Sequence, residues 1–228
     1  MYTVILPAAG AGTRVNLGYN KLFHKIAKRT VIEHTVAWFL NDLKCNQIII
    51  VSNENDQADM CELFHSYPRI EIVLGGETRQ ESIYNALAYV REDIVLVHDG
   101  ARPFVNDEII DACYEIALLG FGAVTAVPLK DTIKQRSASK EDTIEKTIPR
   151  DELVSVQTPQ AFPTAILKKA NDFAKNDHRL SEVTDDASLI EKYTEVPIKI
   201  VEGNYRNIKF TTDEDIAYFD FLMKKGRA

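Results

Sequence analysis

The chain has 228 residues, 45% hydrophobic and 27% charged, with a formal net charge of −7, which suits one α/β domain able to bury a core without staples. The acidic balance argues against general nucleic-acid binding, which needs a basic face, but not against a small phosphorylated ligand, because local cations or Mg²⁺ can invert the field inside one cleft. No apolar run approaches the roughly 20 residues that span a bilayer, and Cys45, Cys61 and Cys113 stand far apart without a CxxC, so a membrane span, a zinc site and a disulfide framework are not expected and a reducing, cytoplasmic setting is.

Val4–Leu6 predicts a short buried strand, and the segment that follows carries the first chemical signal. Residues 3–21 read TVILPAAGAGTRVNLGYNK: an apolar run enters small residues, and the next charges are Arg14 and Lys21. A tight turn, a dinucleotide fingerprint and a cradle for nucleotide phosphates are the three readings. Walker A requires GxxxxGK[ST], which Gly10 and Gly12 do not satisfy, and GxGxxG fails because position 15 is Val. A plain turn and a phosphate cradle stay open. Small residues let backbone approach a ligand and present successive N–H groups to an anion, and Arg14 and Lys21 favour the cradle.

Further along, Ile32, Val36, Phe39, Leu40 and Leu43 form one helical stripe over 31–43. Ile48–Val51 is a β-branched run expected to be buried on both faces. Residues 55–67 predict a weaker helix ended by Pro68, Ile70–Leu74 a strand, Ser82–Val90 a helix and Ile94–Val97 a strand. Ile109, Ile110, Cys113, Ile116 and Ala117 give the next helix, and Ala123–Val127 a strand closed by Pro128. Strands spaced by helices predict βαβ units and a mostly parallel sheet covered on both faces.

Residues 130–156 break the rhythm: they are polar, with two β-capable pieces, Thr132–Lys134 and Thr143–Thr147. They read either as a surface loop or as a two-stranded arm. An arm alone is marginally stable and calls for a partner such as a second copy of the chain. The α/β pattern then resumes. A helix is predicted over 163–175 with Pro163 in its first turn, and another from Asp185 or Asp186 toward Tyr193. Strands are predicted at Ile198–Val201 and Ile208–Phe210. A last helix opens on Thr211 and Thr212, three residues before Glu214 and Asp215.

Polar clusters follow several strands: residues 75–82 (GGETRQES), 99–103 (DGARP) and 130–132 (KDT). Each alone reads as a solvated turn, but all leave the same edge of a parallel sheet, where open α/β sheets bind ligands. Asp99 suits Mg²⁺, which takes one or two carboxylates and completes its shell with phosphate oxygens and water. His98 precedes it on a strand and points to the opposite face, so it reads as structural.

LPAAGAGTR, NK at 20–21, GGETRQES, VHDGARPF, LKDTIK, QTPQAF, TDDAS and NIKFT occur in the order found in the 2-C-methyl-D-erythritol 4-phosphate cytidylyltransferase family, which the chain resembles over essentially its whole length. The opening loop is shared by many sugar-nucleotide transferases; HDGARPF, QTPQAF and TDDAS together are far more specific. Two positions depart from the common pattern: Asn20 stands where the family often has Pro, and Gly100 where it often has Ala.

The resemblance implies an α/β, Rossmann-like three-layer αβα fold, with a mostly parallel sheet and a protruding β-arm inserted at about 131–156 of a single nucleotidyltransferase domain spanning 1–228. It implies a homodimer joined through the arm, and transfer of CMP from CTP to 2-C-methyl-D-erythritol 4-phosphate with Mg²⁺. By position, Arg14, Lys21 and Lys209 are implied as catalytic cations. Ala8, Ala9, Gly10, Gly76, Arg79 and Ser82 are implied at the nucleotide. Asp99, Arg102, Thr132, Arg150, Thr158 and Thr184 are implied on the acceptor side, with Asp99 also at the metal. Thr132 and Arg150 would serve the second subunit's site. Ribitol 5-phosphate cytidylyltransferase is the nearest alternative; DTIK at 131–134, Arg150 and TDDAS favour the erythritol acceptor.

Overall fold

The computed structural model describes residues 1–10, 20–139, 141–180 and 183–224; Arg14 lies outside them. Strand β1 (Tyr2–Pro7) is followed by a short 3₁₀ turn at Lys21–Phe23 and a two-stranded ribbon of β2 (Lys25–Ile26) and β3 (Arg29–Thr30). Then come α1 (Val31–Asn41), β4 (Cys45–Ser52), α2 (Gln57–Phe64), β5 (Ile70–Leu74), α3 (Arg79–Leu87), β6 (Ile94–Val97), α4 (Asp107–Leu118) and β7 (Gly122–Pro128). The arm is β8 (Ile133–Arg136) with β9 (Ile144–Ile148). The chain closes with β10 (Val154–Pro163), α5 (Thr164–Asn176), α6 (Asp186–Tyr193), β11 (Ile198–Glu202) and α7 (Asp213–Lys224).

Seven strands form the main sheet in the order β11-β7-β10-β6-β1-β4-β5. All neighbours are parallel except β10, which runs antiparallel between β6 and β7. The period-2 alternation of strands sorts the apolar side chains onto two faces. Val4 and Leu6 of β1, with Ile48 and Ile50 of β4, join Ile32, Phe39, Ile110 and Phe219 beneath α1, α4 and α7. Ile5, Ile49 and Val51 join Ile83, Leu167 and Ile190 beneath α3, α5 and α6. This is the expected three-layer arrangement. No helix among the described residues is long and apolar enough to cross a membrane.

Helix starts follow local chemistry. Thr30 and Glu33 form a capping box on α1, and Thr78 and Glu81 form one on α3. The second box starts α3 at Arg79, three residues before the expected Ser82, because T-x-x-E satisfies orphan N–H groups reciprocally. At the chain's end the Asp215 carboxylate accepts from the Thr212 N–H at 2.8 Å and from the Thr211 N–H at 2.6 Å, opening α7 as expected. Leu43 leaves the predicted stripe: α1 ends at Asn41, and Leu43 is exposed.

Two expectations change. The polar insert is an antiparallel hairpin, β8 against β9, but Val154, Ser155 and Val156 pair with Pro128, Val127 and Ala126 of β7 in the main sheet. The insertion is therefore shorter than 131–156. Residues 208–210 were expected as a strand and form none; Phe210 is buried, and its N–H bonds the carbonyl of Ala101 at 2.8 Å.

Candidate active site

The exits of β1, β5 and β6 meet at a cleft of about 380 Å³. Ala8, Ala9 and Gly10 line it from the exit of β1, together with Lys21. Gly76, Arg79 and Ser82 line it from the β5–α3 turn, and Asp99 and Lys209 complete it. Stretches remote in sequence thus converge because a parallel sheet sends all its carboxyl ends to one edge.

The β5–α3 turn is shaped by its own side chains. The Gly76 N–H donates to Ser82 Oγ at 3.1 Å, and that hydroxyl donates to the Thr78 carbonyl at 2.9 Å. Side-chain atoms leave Gly75 and Gly76 no room: a Cβ at 75 would stand 2.6 Å from Ser82 Oγ, and one at 76 would stand 2.4 Å from Glu81 Cβ. Ser82 is buried and its hydroxyl is engaged, so it builds the turn that faces the cleft.

Asp99 is the electrostatic centre. Its Oδ2 lies 3.1 Å from Lys209 Nζ and 3.2 Å from Arg102 Nε, and its Oδ1 lies 3.8 Å from Arg79 Nε. Burial pushes the Asp99 carboxyl up, but the charges of Lys209, Arg79 and Arg102 outweigh burial and hold it well below the usual carboxylate range. Arg79 also pairs with Asp186, fully buried, at 2.8 Å through Nη2, while its buried Nη1 has no hydrogen-bond partner. A cation opening a helix opposes the helix dipole; here two carboxylates hold it there.

Beneath Asp99 a directed chain of hydrogen bonds fixes the backbone. The Asp99 N–H donates to Thr158 Oγ1 at 3.0 Å. Thr158 Oγ1 lies 3.0 Å from His98 Nδ1, and His98 Nε2 lies 3.0 Å from the Arg102 carbonyl. A carbonyl only accepts, so Nε2 carries the ring proton, Nδ1 accepts, and the threonine hydroxyl donates to it. Burial pushes His98 down to about 4. It is a neutral strut, as its place on the strand implied, and no general base.

The fate of each expected residue follows. Lys21, Lys209, Ala8, Ala9, Gly10, Gly76, Arg79, Ser82 and Asp99 share the cleft. Arg102 braces Asp99 and donates through Nη1 to the Asn207 carbonyl at 2.7 Å. Thr158 is buried beneath Asp99 with its hydroxyl engaged twice, a support for the carboxylate. Thr132 and Arg150 stand exposed on and beside the arm, where Arg150 Nη1 donates to the Lys130 carbonyl at 3.2 Å. Thr184 is exposed just ahead of α6. None of these last three lines the cleft.

Sequence reading missed the braces. Gln160 Nε2 donates to Asp185 Oδ2 at 2.7 Å and its Oε1 accepts from the Ala187 N–H at 3.0 Å, which clamps QTPQ to TDDAS. Asn207 Nδ2 donates to the Thr158 carbonyl at 2.8 Å and to Gln157 Oε1 at 3.2 Å, which ties NIKFT to the same strand. Asp185 also caps α6, accepting from the Ser188 N–H at 3.0 Å. Replacing Asp185 by Ala removes the cap and the Gln160 bond, a loss of about 1–2 kcal/mol. Thermal denaturation should report it as a Tm lowered by about 2–4 °C per kcal/mol.

A cleft with a small-residue loop, convergent cations and a buried, ionised Asp99 over a sheet edge handles phosphates, and on a Rossmann-like fold it defines a nucleotidyltransferase. Comparison with known proteins narrows the class. The family model for 2-C-methyl-D-erythritol 4-phosphate cytidylyltransferase matches residues 2–225. The enzyme of that name from Bacillus velezensis is 44% identical over 227 residues, 98% of this chain and 96% of the relative. That from Bacillus pumilus is 43% identical over 230 residues, 99% of this chain and 98% of the relative. The crystal structure of 4-diphosphocytidyl-2C-methyl-D-erythritol synthase from Anaerococcus prevotii superposes with a TM-score of 0.86 at 28% identity, covering 98% of this chain and 96% of that one. The chain belongs to the 2-C-methyl-D-erythritol 4-phosphate cytidylyltransferase family.

Proposed function

We propose that the chain carries out its family's reaction at this cleft, by charge neutralisation and in-line positioning. CMP passes from CTP to 2-C-methyl-D-erythritol 4-phosphate, giving 4-CDP-2-C-methyl-D-erythritol and pyrophosphate, a step of isoprenoid biosynthesis. The relatives carry the erythritol acceptor in their names, and a ribitol acceptor is not favoured. The acceptor is a phosphate monoester whose second pKa is about 6, so near neutral pH it arrives mostly as a dianion. No general base is then needed, which agrees with the buried, neutral His98. The obstacle is the approach of a dianion to the α-phosphorus of a polyanion.

One observation carries the reading: Lys21 and Lys209 reach the same cleft from residues nearly 190 apart in sequence, the second held by Asp99. In the proposed reaction these two lysines, with Arg14 on the opening loop, neutralise the phosphates. Asp99 suits a divalent cation: it is an ionised carboxylate at the cleft, and its Oδ1 has only the 3.8 Å contact to Arg79 Nε among the ion pairs made with it. It would hold Mg²⁺ together with triphosphate oxygens, and the metal would withdraw charge from the leaving pyrophosphate. Exposed Ile144 on the arm, Val154 and Val156 on β10 and Ile200 on β11 are apolar surface of the kind a second copy covers. They support a homodimer through the arm, with Thr132 and Arg150 serving the partner's acceptor. The free thiols of Cys45, Cys61 and Cys113 suit a cytoplasmic enzyme, and the reading includes no nucleic-acid partner.

Pyrophosphate release from each of the four nucleoside triphosphates, with methylerythritol phosphate as acceptor and with or without EDTA, tests this directly. Release from CTP that stops on chelation is expected. Equal release from all four, or release untouched by EDTA, would count against the base and metal assignments respectively.

A further inference from the structure

Asp56 occupies the N-cap position of α2, where a carboxylate ordinarily accepts from the second or third helical N–H, yet it makes no side-chain cap bond. Its Oδ2 instead accepts from Asn20 Nδ2 at 2.7 Å and from Asn53 Nδ2 at 2.6 Å. Asn53 Oδ1 takes the Asp56 N–H in return at 3.0 Å. A stabilising cap has been set aside for a bridge between two amides.

Both amides reach on to the cleft. Asn20 Nδ2 also donates to the Ala8 carbonyl at 3.2 Å, and Asn53 Nδ2 to the Ala9 carbonyl at 3.3 Å. Asn20 Oδ1 accepts from the Leu22 N–H at 3.0 Å, which closes the 3₁₀ turn that opens with Lys21. Asn20 is buried, and its bonds to the Ala8 carbonyl and the Leu22 N–H are made away from water. The carboxylate thus ties three things together: the turn that presents Lys21, and the two backbone units at the exit of β1 that line the cleft.

We propose that Asp56 is a positioning residue for the transfer reaction: through Asn20 and Asn53 it sets Lys21 and the Ala8–Ala9 backbone in register with each other. The φ of Asn20, −63°, is the angle a proline ring imposes. A proline would fix the turn covalently; this chain fixes it through an amide held by Asp56. The inference rests on the reading of Lys21 as a phosphate-neutralising cation.

The test is a double-mutant cycle on the full-length enzyme, with kcat and KM for CTP measured well below Tm and Tm recorded for every variant. Asp56→Ala should lower kcat on the order of 10-fold to 10²-fold, the scale of a reacting group displaced by about 1 Å. In the Asn20→Pro background the same substitution should cost at most about 3-fold, because the proline already fixes the turn. Asp56→Asn, which keeps the size but presents one acceptor without charge, should fall between. A wild-type-like kcat for Asp56→Ala overturns the inference. So does an equal loss in both backgrounds, which would assign the effect to α2 stability. Lys21→Met separates the two levels: if it leaves turnover intact, the reading of Lys21 fails. If it abolishes turnover while Asp56→Ala does not, the positioning role alone fails.

Discussion

Replacing Lys209 by Met lowers turnover on the order of 10²–10³-fold, the range seen when one preorganised donor is removed from a charged transition state. Methionine keeps the stem and deletes the ammonium, so the change isolates charge. The lysine is well placed for such a role. Asn207, fully buried, is bonded to the Thr158 carbonyl, and the Phe210 N–H to that of Ala101. Lys209 therefore lines the cleft from a segment held at two fixed points, while Ile208 packs against the core. The fold survives the loss, because Asp99 keeps Arg102 and Arg79 and a partly exposed pair such as Lys209–Asp99 contributes about 1 kcal/mol or less. Steady-state pyrophosphate release, with Tm measured alongside, gives the answer. Turnover within about 3-fold of the parent, at unchanged Tm, would remove Lys209 from the chemistry.

Ile94–Val97, whose burial is written in one continuous apolar run, matches to the residue, and so does Ile70–Leu74, a half-buried strand that Glu71 interrupts. Strand β10 was not legible: its sequence, VSVQTPQAFP, begins exposed, contains Pro159, which has no N–H to give a ladder, and shifts register between Val156 and Gln160. The opposite error arose at residues 208–210, where Ile and Phe suggested a strand. Phe210 is buried under α7 against Phe219, so its side chain answers to packing and its backbone to Ala101. For the site, the residue types at the strand ends were legible because sheet topology alone brings them together. Their supports were not. Asp186 holding Arg79, Gln160 clamping Asp185, and Asp56 bridging Asn20 and Asn53 all depend on how separate elements pack. No periodicity or spacing in one chain encodes that. Thr158 lay between: its motif marked it, and only the structure turned its hydroxyl toward the Asp99 N–H.

Replacing Asp99 by Asn should be the most damaging single change at the cleft, because it acts on structure and chemistry together. Three cations converge on this carboxylate, and removing it leaves Arg79 and Arg102 partly buried without that counter-charge. Breaking a buried pair typically costs about 3–5 kcal/mol; Arg79 keeps Asp186 and Arg102 keeps the Asn207 carbonyl, so about 2–3 kcal/mol is expected here. Turnover should fall at least as far as in the Lys209 variant, since Lys209 loses its anchor and the proposed cation its protein ligand. The pH dependence has a definite sign. The folded-state carboxyl sits well below the usual range, while the unfolded one titrates near 4. A depressed pKa contributes stability that is complete above the unfolded value and is lost as pH falls toward the folded one. The stability gap between parent and Asp99→Asn should therefore be constant from about pH 8 to 5 and narrow below about 4. Urea denaturation of both proteins across that range measures it. A gap that instead widened on acidification, or vanished at neutral pH, would mean that Asp99 is not the ionised hub on which Arg79, Arg102 and Lys209 are hung.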